Sequence, residues 1–145
     1  MRLTRYTDYA LRVLMRLAVE PERLLTIEEI ATGYDISKAH LTKVVHRLAQ
    51  RGYIETVRGR NGGLRLARSA SLLRVGRIVV DVEKSMALVE CFEPDTDTCP
   101  ITPACRLQGA LHEALGGFLS ALDRYTIADL VERRTPALRR LLRMD

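Results

Sequence analysis

Residues 26–48 read TIEEIATGYDISKAHLTKVVHRL, and this stretch predicts two short helices joined by a tight turn. Thr26 and Glu29 fit a capping box, in which the threonine hydroxyl accepts from the third amide and the glutamate reaches back. Gly33 is predicted to end the first helix after about two turns. Ser37 is a favourable N-cap for the second helix. The predicted buried stripe of that helix follows helical spacing and comprises Leu41, Val44, Val45 and Leu48.

The outer face of the second helix is polar and basic, which is typical of a helix-turn-helix motif. In that motif the second helix enters the major groove of DNA with its first residues at base edges. Each such residue, taken singly, is also compatible with a solvated surface position. The DNA-contacting residues that we predict on this helix are Ser37, Lys38, His40, Lys43 and Arg47.

Two strand-like segments follow, at residues 53–57 and 64–66, with RGRNGG between them. The Asn-Gly pair predicts a tight hairpin turn because both residues tolerate positive φ. Glycines let the backbone approach a phosphate, and the arginines supply charge. The pattern predicts a wing, although an exposed hairpin with incidental arginines would look similar. The predicted DNA contacts of the wing are Arg58, Arg60, Asn61 and Arg65.

The positive charge is concentrated in this part of the chain. Residues 35–68 carry eight basic and two acidic side chains, and their net charge of +6 exceeds the +5 of the whole chain. A compact basic block on a near-neutral body is typical of a protein that binds a polyanion. A solvated basic face is the alternative interpretation.

The composition, with 47% hydrophobic and 28% charged residues, is that of an ordinary globular protein. No apolar run approaches the roughly 18 residues of a transmembrane helix. Charged residues interrupt the helical pattern at residues 7–20, which disfavours a signal peptide. We therefore expect a cytoplasmic protein without a membrane partner. Cysteines in that reducing compartment tend to be metal ligands or reactive thiols.

All three cysteines lie in a segment without periodicity, residues 90–105, which we predict to be a loop. Their spacing, Cys-x7-Cys-x5-Cys, lacks the Cys-x2-Cys knuckle of many zinc sites. Iron–sulfur ligation uses more varied spacings and four ligands per simple cluster. Three thiols would then need a fourth ligand that is oxygen, nitrogen or exogenous. Three free or buried thiols are the alternative.

A long helix is predicted from Ala104 onward, and its apolar residues recur over five turns. Such a seam suits pairing with a second helix, although packing within one chain would produce the same pattern. A winged helix that reads palindromic DNA needs a partner, which favours a dimer. The seam comprises Leu107, Leu111, Leu115, Phe118 and Leu122.

The expected fold is mainly α with a small β-wing: a winged helix-turn-helix domain followed by a long dimerisation helix. We divide the chain into a DNA-binding domain, a cysteine-rich cluster-binding loop, a dimerisation-helix region and an exposed basic tail. Helices are also predicted at residues 71–83 and 126–132. The four parts span residues 1–83, 84–105, 106–131 and 132–145.

Three segments together resemble the NsrR/IscR-type family of bacterial iron–sulfur transcription regulators, and most closely its NsrR branch. They are MRLTRYTDYALR at 1–12, VRGRNGGLRL at 57–66 and CPITPACRL at 99–107, and the resemblance extends to about residue 131. The resemblance implies a homodimer with a winged helix, a cluster loop and a long dimerisation helix in each subunit. It also implies repression of genes that respond to nitric oxide, with release of DNA when the cluster is nitrosylated.

Carried over residue by residue, Cys91, Cys99 and Cys105 match the three thiolate ligands of that family. Asp8 matches the position that supplies an oxygen ligand from the other subunit in some NsrR-type members. A carboxylate in the first turn of a helix also favours the helix dipole. The resemblance implies a 4Fe–4S cluster in preference to 2Fe–2S.

The sequence departs from the family pattern in two places. IscR-like members have a histidine three residues after the third cysteine, where this chain has Gln108, and His112 is roughly 10 Å further along the helix axis than the cysteine. This departure disfavours a histidine-ligated 2Fe–2S site. The gap between the first two cysteines is also longer than usual. It leaves four rival oxygen ligands: Glu90, Glu93, Asp95 and Asp97.

The leading interpretation is a cluster-dependent repressor that senses nitric oxide and binds an inverted-repeat operator as a homodimer. A regulator of the same fold that senses iron–sulfur status or oxidants is one alternative, and a zinc-stabilised DNA-binding protein is another. A redox enzyme or electron carrier is disfavoured by the basic helix and wing. The chain also lacks a glycine-rich nucleotide loop and a nucleophile elbow, so we expect no enzyme.

Overall fold

The computed structural model describes residues 2–143 and shows a mainly helical chain with a β-hairpin. This confirms the predicted fold class. Met1, Met144 and Asp145, which belong to the predicted N-terminal domain and tail, lie outside the described residues. The elements in chain order are α1 (Arg5–Val19), α2 (Ile27–Tyr34), α3 (Lys38–Gln50), β1 (Ile54–Val57), β2 (Gly63–Leu66), α4 (Val75–Val82), α5 (Arg106–Asp123), α6 (Ile127–Val131) and α7 (Thr135–Leu141).

Helix α1 lies at the centre of the hydrophobic core and packs against α3, α4 and α6. The predicted stripe of α3 is confirmed, since all four of its residues are buried. Full burial of one such leucine or valine side chain contributes about 1.5–3 kcal/mol. The buried side of α1 faces this stripe and comprises Ala10, Val13, Leu14 and Leu17.

The helix-turn-helix has the predicted capping box but a different end to its first helix. Thr26 accepts from the amide of Glu29 (3.2 Å), and the Glu29 carboxylate accepts from the amide of Thr26 (2.8 Å). The prediction that Gly33 ends α2 is wrong, because α2 continues to Tyr34 and the left-handed residue is Asp35, with φ 52°. Aspartate tolerates this conformation because its short polar side chain can bond locally.

Ser37 occupies the N-cap position of α3 as predicted, although its side chain makes no capping hydrogen bond. Gly52 follows the end of α3 with φ +71°, a left-handed conformation that closes the helix. Positive φ favours glycine because it lacks a Cβ atom.

The wing is an antiparallel hairpin in which Val57 pairs with Gly63. The prediction of a tight Asn-Gly turn is wrong, because this register leaves residues 58–62 as a longer loop. Positive φ occurs at Gly59 (112°) in this loop. Gly62 is needed for a different reason: a Cβ atom there would lie 2.2 Å from the carbonyl oxygen of Val57.

The helix predicted at residues 71–83 is interrupted. A short 3-10 turn at Ala70–Leu72 precedes α4, and Leu73 between them is extended. The break lets this part of the chain pair with the segment after α5, since the Leu73 carbonyl accepts from Ile127 (2.9 Å) and Val75 donates to Tyr125 (2.9 Å). The short helix predicted at 126–132 is confirmed as α6.

The long helix begins at Arg106, just after the predicted Ala104, because residues 102–104 form a 3-10 turn. In the described part of the tail the arginines are exposed as predicted, but residues 135–141 form α7 on the surface of α1. There Arg139 donates to the carbonyl of Val19 at 3.5 Å. Within residues 2–143, no helix has both the length and the apolar character needed to cross a membrane.

Candidate nucleic-acid interface and cysteine centre

The exposed side of α3 carries four of the five predicted DNA contacts on this helix. Ser37, Lys38, His40 and Lys43 are exposed, whereas Arg47 is half-buried. Their exposure follows from the opposite, apolar side of α3, which is fixed in the core. The four predicted wing contacts, Arg58, Arg60, Asn61 and Arg65, are also exposed.

Two of these cations are paired with carboxylates of the same chain. Lys38 lies 2.5 Å from the Glu28 carboxylate, and Arg65 lies 2.9 Å from that of Glu55. All four side chains are at least half exposed, so each pair contributes at most about 1 kcal/mol and can exchange partners. Among the ion pairs of residues 2–143, none involves Lys43, Arg58 or Arg60.

A groove of about 510 Å³ separates the N-terminal residues from α3. Its lining includes Arg2 and Arg5 opposite His40 and Lys43 of the predicted recognition helix. This concentration of positive charge suits a phosphate backbone. The sequence reasoning missed Arg2 and Arg5 because they lie outside residues 35–68, and their nearness to α3 depends on tertiary packing.

The cysteine-bearing segment, residues 84–105, carries the three free thiols. Cys91, Cys99 and Cys105 are all half-buried. Partial burial raises the pKa of the Cys91 thiol, and the nearby charges of Asp97, Cys105 and Cys99 raise it further. A bound metal would act in the opposite direction, because a cation favours the thiolate form of a cysteine.

Helix α5 holds the segment through Gln108 and His112, the two residues at which the sequence departs from the IscR-like pattern. The Gln108 amide donates to the backbone oxygen of Cys91 at 2.8 Å. His112 stacks on Phe92 with 3.8 Å between the ring centroids. Both contacts orient the segment against the first two turns of α5.

The rival oxygen ligands mostly have hydrogen-bond partners within the segment. Glu93 accepts from the hydroxyl of Ser85 (2.6 Å), and Asp97 accepts from the amide of Cys99 (3.0 Å). The Thr98 hydroxyl lies 3.5 Å from the Glu90 carboxylate. Asp95 is exposed.

Asp8 lies in the first turn of α1 and pairs with Arg12, whose guanidinium approaches the carboxylate at 2.8 and 3.1 Å. The Asp8 side chain is 46% exposed. An exposed pair of this kind is weak, so the carboxylate is accessible to other partners. The structure of the single chain brings Asp8 together with Arg12 and does not place it among the three thiols.

The donor set of the segment fits iron chemistry. Iron–sulfur clusters are held by thiolates, and the three thiols here are free and half-buried. Within the described residues, no group of three or more His, Cys, Asp or Glu side chains is placed so that it could hold a metal ion, so the fit is one of residue type and not of arrangement.

Helix α5 has 18 residues, and none of them is buried in the single chain. Leu107 at its start is 63% exposed. The other four residues of the predicted seam are half-buried. The apolar seam is therefore incompletely covered by the rest of this chain.

The chain is similar to known transcriptional regulators over nearly its whole length. It is 51% identical to the HTH-type transcriptional regulator NsrR of Geobacillus kaustophilus (strain HTA426) over 144 residues, covering 99% of this chain and 97% of that one. It is 47% identical to the regulator of the same name from Bacillus subtilis (strain 168), with 99% of each chain covered. These relatives confirm the NsrR-type resemblance and a regulatory function without enzymatic activity.

Solved structures support the fold. The IscR of T. potens superimposes with a TM-score of 0.76 at 21% identity, covering 94% of this chain and 90% of that one. The global cysteine regulator CymR of B. subtilis gives a TM-score of 0.72 at 22% identity, with coverage of 92% and 98%. The family model for Rrf2 iron-dependent transcriptional regulators matches residues 3–133. The chain therefore belongs to the Rrf2 family of iron-dependent transcriptional regulators.

Proposed function

We propose that this regulator is a repressor that depends on an iron–sulfur cluster, senses nitric oxide and releases DNA when the cluster is nitrosylated. One observation carries the proposal: three free, half-buried thiols lie on a segment that connects the winged-helix part directly to the exposed helix α5. A change at the thiols therefore reaches both the DNA-binding and the pairing elements. We place this activity in the cytoplasm.

Cys91, Cys99 and Cys105 would hold a 4Fe–4S cluster, with Asp8 of the partner subunit as the fourth ligand. Such a cluster supplies iron that reacts with nitric oxide. Gln108 keeps the Cys91 backbone against α5, and the half-buried thiols limit the access of water. An oxygen ligand is a weaker donor to iron than a thiolate, so the Asp8 position is the one most open to an attacking molecule.

The proposed assembly is a homodimer that pairs through the seam of α5. The support is an 18-residue helix without a buried side chain, because an apolar seam of this length favours a helical partner. Two recognition helices would then read an inverted repeat with half-sites about one helical turn apart.

We propose that the recognition helix reads bases and that the wing binds the backbone or a groove. Lys38, His40 and Lys43 are exposed near the start of α3, where helix-turn-helix proteins contact base edges. Arg58 and Arg60 lie in the exposed loop of the wing. Arg2 and Arg5 extend the same basic surface along the groove beside α3.

Two measurements on anaerobically purified protein test the proposal. The first is the content of iron, acid-labile sulfide and zinc. The second is the affinity of cluster-loaded, cluster-free and nitric-oxide-treated protein for one operator duplex at a single salt concentration. We expect iron with sulfide, and a 5- to 150-fold loss of affinity after nitric oxide treatment, the usual range of allosteric coupling.

The alternatives give different results. Stoichiometric zinc without sulfide would support a zinc-stabilised DNA-binding protein. A loss of affinity with oxidants or iron starvation but not with nitric oxide would support a sensor of oxidants or iron–sulfur status. Equal affinity in all three states would contradict sensing altogether.

A further inference from the structure

Glu83, which joins α4 to the cysteine-bearing segment, bonds to the start of α1. It is the first residue after α4, and its Oε2 atom accepts from the hydroxyl of Thr7 (2.5 Å) and from the amide and hydroxyl of Thr4 (both 3.2 Å). Thr4 is the N-cap of α1, and Thr7 is fully buried. One carboxylate therefore satisfies three donors in the first turn, where negative charge is also favoured by the helix dipole.

The same turn holds the recognition helix. The Tyr6 hydroxyl donates to the backbone oxygen of Lys43, in the middle of α3, at 2.9 Å. The carbonyl oxygen of Lys43 can only accept, so the Tyr6 hydroxyl is the donor of this bond.

Asp8 belongs to this turn as well, since its amide donates to the Thr4 carbonyl at 3.1 Å. Three consecutive residues of α1 thus point to three different parts of the protein. Tyr6 bonds to the recognition helix, Thr7 bonds to Glu83 just before the cysteine-bearing segment, and Asp8 has an accessible carboxylate.

We propose that the first turn of α1 couples the cysteine-bearing segment to the recognition helix within each subunit, with Glu83 and Tyr6 as its two positioning residues. This inference rests on the proposed function and names the route by which the state of the thiols reaches DNA. When the segment is held, Glu83 fixes the first turn and Tyr6 fixes α3 at Lys43. When the segment is released, Glu83 leaves, and the first turn loses three hydrogen bonds together.

The loss of Glu83 would fall on one short turn. Its three bonds are to a charged acceptor and are therefore stronger than neutral hydrogen bonds, and allosteric couplings typically change an affinity 5- to 150-fold. A small movement of α3 suffices, since each recognition helix of a dimer must fit its own groove.

Tyr6→Phe tests the link to the recognition helix, with Tyr34→Phe as the matched control. Tyr34 makes the same kind of bond, donating from its hydroxyl to a helix carbonyl, that of Arg12 (3.1 Å). The quantity to measure is the ratio of duplex affinities of the cluster-loaded and cluster-free forms. We expect Tyr6→Phe to lower this ratio at least fivefold, and Tyr34→Phe to leave it within twofold of wild type.

Two further readouts separate coupling from simple damage. Iron and sulfide content should be unchanged in Tyr6→Phe, and amide hydrogen exchange should be faster in α3 of the loaded variant than in loaded wild type. Glu83→Ala should lower the affinity ratio as Tyr6→Phe does, and the two changes combined should add little, because both interrupt one route.

The outcomes distinguish this inference from the proposed function. If wild-type protein shows no difference between its loaded and cluster-free forms, the proposed function fails. If wild type responds but Tyr6→Phe responds equally, the first turn of α1 does not carry the coupling. If Tyr34→Phe is as damaging as Tyr6→Phe, general loosening of α1 explains the effect and the specific route is rejected.

Discussion

The carboxylate of Asp123, the last residue of α5, accepts a hydrogen bond from the backbone nitrogen of Arg77 at 2.8 Å. The carbonyl of the same residue accepts from the guanidinium of Arg74 at 2.9 Å. Asp123 therefore caps the first turn of α4 from another helix, and the negative charge suits that end of the helix dipole. The end of α5 is thus attached to the DNA-binding part at the start of α4.

Gly76→Ala should weaken this junction. A Cβ atom at Gly76 would lie 2.6 Å from both the Asp123 carboxylate and the Leu119 carbonyl, so α4 and α5 would have to move apart. Overpacking of this kind costs about 1–3 kcal/mol, measured as the free energy of unfolding in urea at fixed protein concentration. Gly109→Ala is the control: it meets no atom within 4 Å and should stabilise the helix by about 0.5–1 kcal/mol. Equal stability of both variants would contradict the close approach.

Glu20→Gln should lower stability at neutral pH more than in acid. Burial alone would raise the pKa of Glu20, but its bonds and charge interactions with Arg16 and Arg23 hold it below the usual value. Its contribution is therefore present above the unfolded pKa of about 4.3 and is lost as the pH falls through the lower folded value. Arg16 is 4% exposed, and leaving it unpaired costs about 3 kcal/mol at pH 7.

The difference in unfolding free energy between wild type and Glu20→Gln should narrow below about pH 4. Glu22→Gln is the control, because Glu22 is exposed and its replacement should change stability by less than about 0.5 kcal/mol. A difference that stays constant from pH 7 to pH 3 would show that Glu20 stabilises the fold without its charge.

Comparison of Asp8→Ala with Arg12→Ala separates the two roles of Asp8. Both changes remove the same exposed ion pair, so each should change the stability of the cluster-free protein by less than about 1 kcal/mol. If Asp8 ligates the cluster, Asp8→Ala alone should speed the loss of iron to a chelator and alter the response to nitric oxide. Identical iron loss in the two variants would leave Asp8 with only its local role in α1.

Replacement of Cys91, Cys99 or Cys105 by serine should abolish stable binding of iron and sulfide, because cluster ligation depends on thiolate donation. Iron and acid-labile sulfide per protein chain are the measured quantities after anaerobic reconstitution. A Cys91→Ser variant that retains the full content would show that one of the carboxylates in the segment serves as the ligand.

Arg60→Ala and Arg5→Ala should each weaken DNA binding without unfolding the protein. Each phosphate contact that is lost lowers the dependence of log affinity on log salt by about 0.9, or about 1.8 for a dimer. A duplex of arbitrary sequence suffices, since phosphate contacts are independent of sequence. Arg124→Ala, which removes an exposed arginine outside the basic surface, should keep the wild-type slope. An unchanged slope for Arg60→Ala would remove the wing from the interface.

Local patterns in the sequence predicted the elements that depend on local interactions. The capping box at Thr26 and the buried stripe of α3 follow from residues within one or two helical turns of one another. The break at Leu73 was missed because its partner, Ile127, lies far along the chain. The prediction of the wing turn was wrong because the pairing of Val57 with Gly63, and not the Asn-Gly pair, sets the length of the loop.

The same distinction between local sequence patterns and tertiary packing applies to the candidate site. The three cysteines and the basic face of α3 could be predicted, because each is compact in sequence. The groove that adds Arg2 and Arg5 could not, because it requires α1 and α3 to pack first. Gln108 looked like the loss of a ligand, whereas the structure gives its amide a contact with the Cys91 backbone.

The pairing of Lys38 with Glu28 has a consequence for how the protein finds its operator. Off DNA the lysine already has a counterion. On DNA of arbitrary sequence, Lys38 would exchange the Glu28 carboxylate for a phosphate. This exchange contributes little binding free energy, because it replaces one anion by another and leaves Glu28 near the negatively charged backbone. The exchange becomes favourable where a base offers Lys38 an acceptor. We therefore expect Lys38 to add little to the residence time of the protein on most of the chromosome and to lengthen its residence time at the operator. The search for the operator is then faster, and binding at the operator is not weakened.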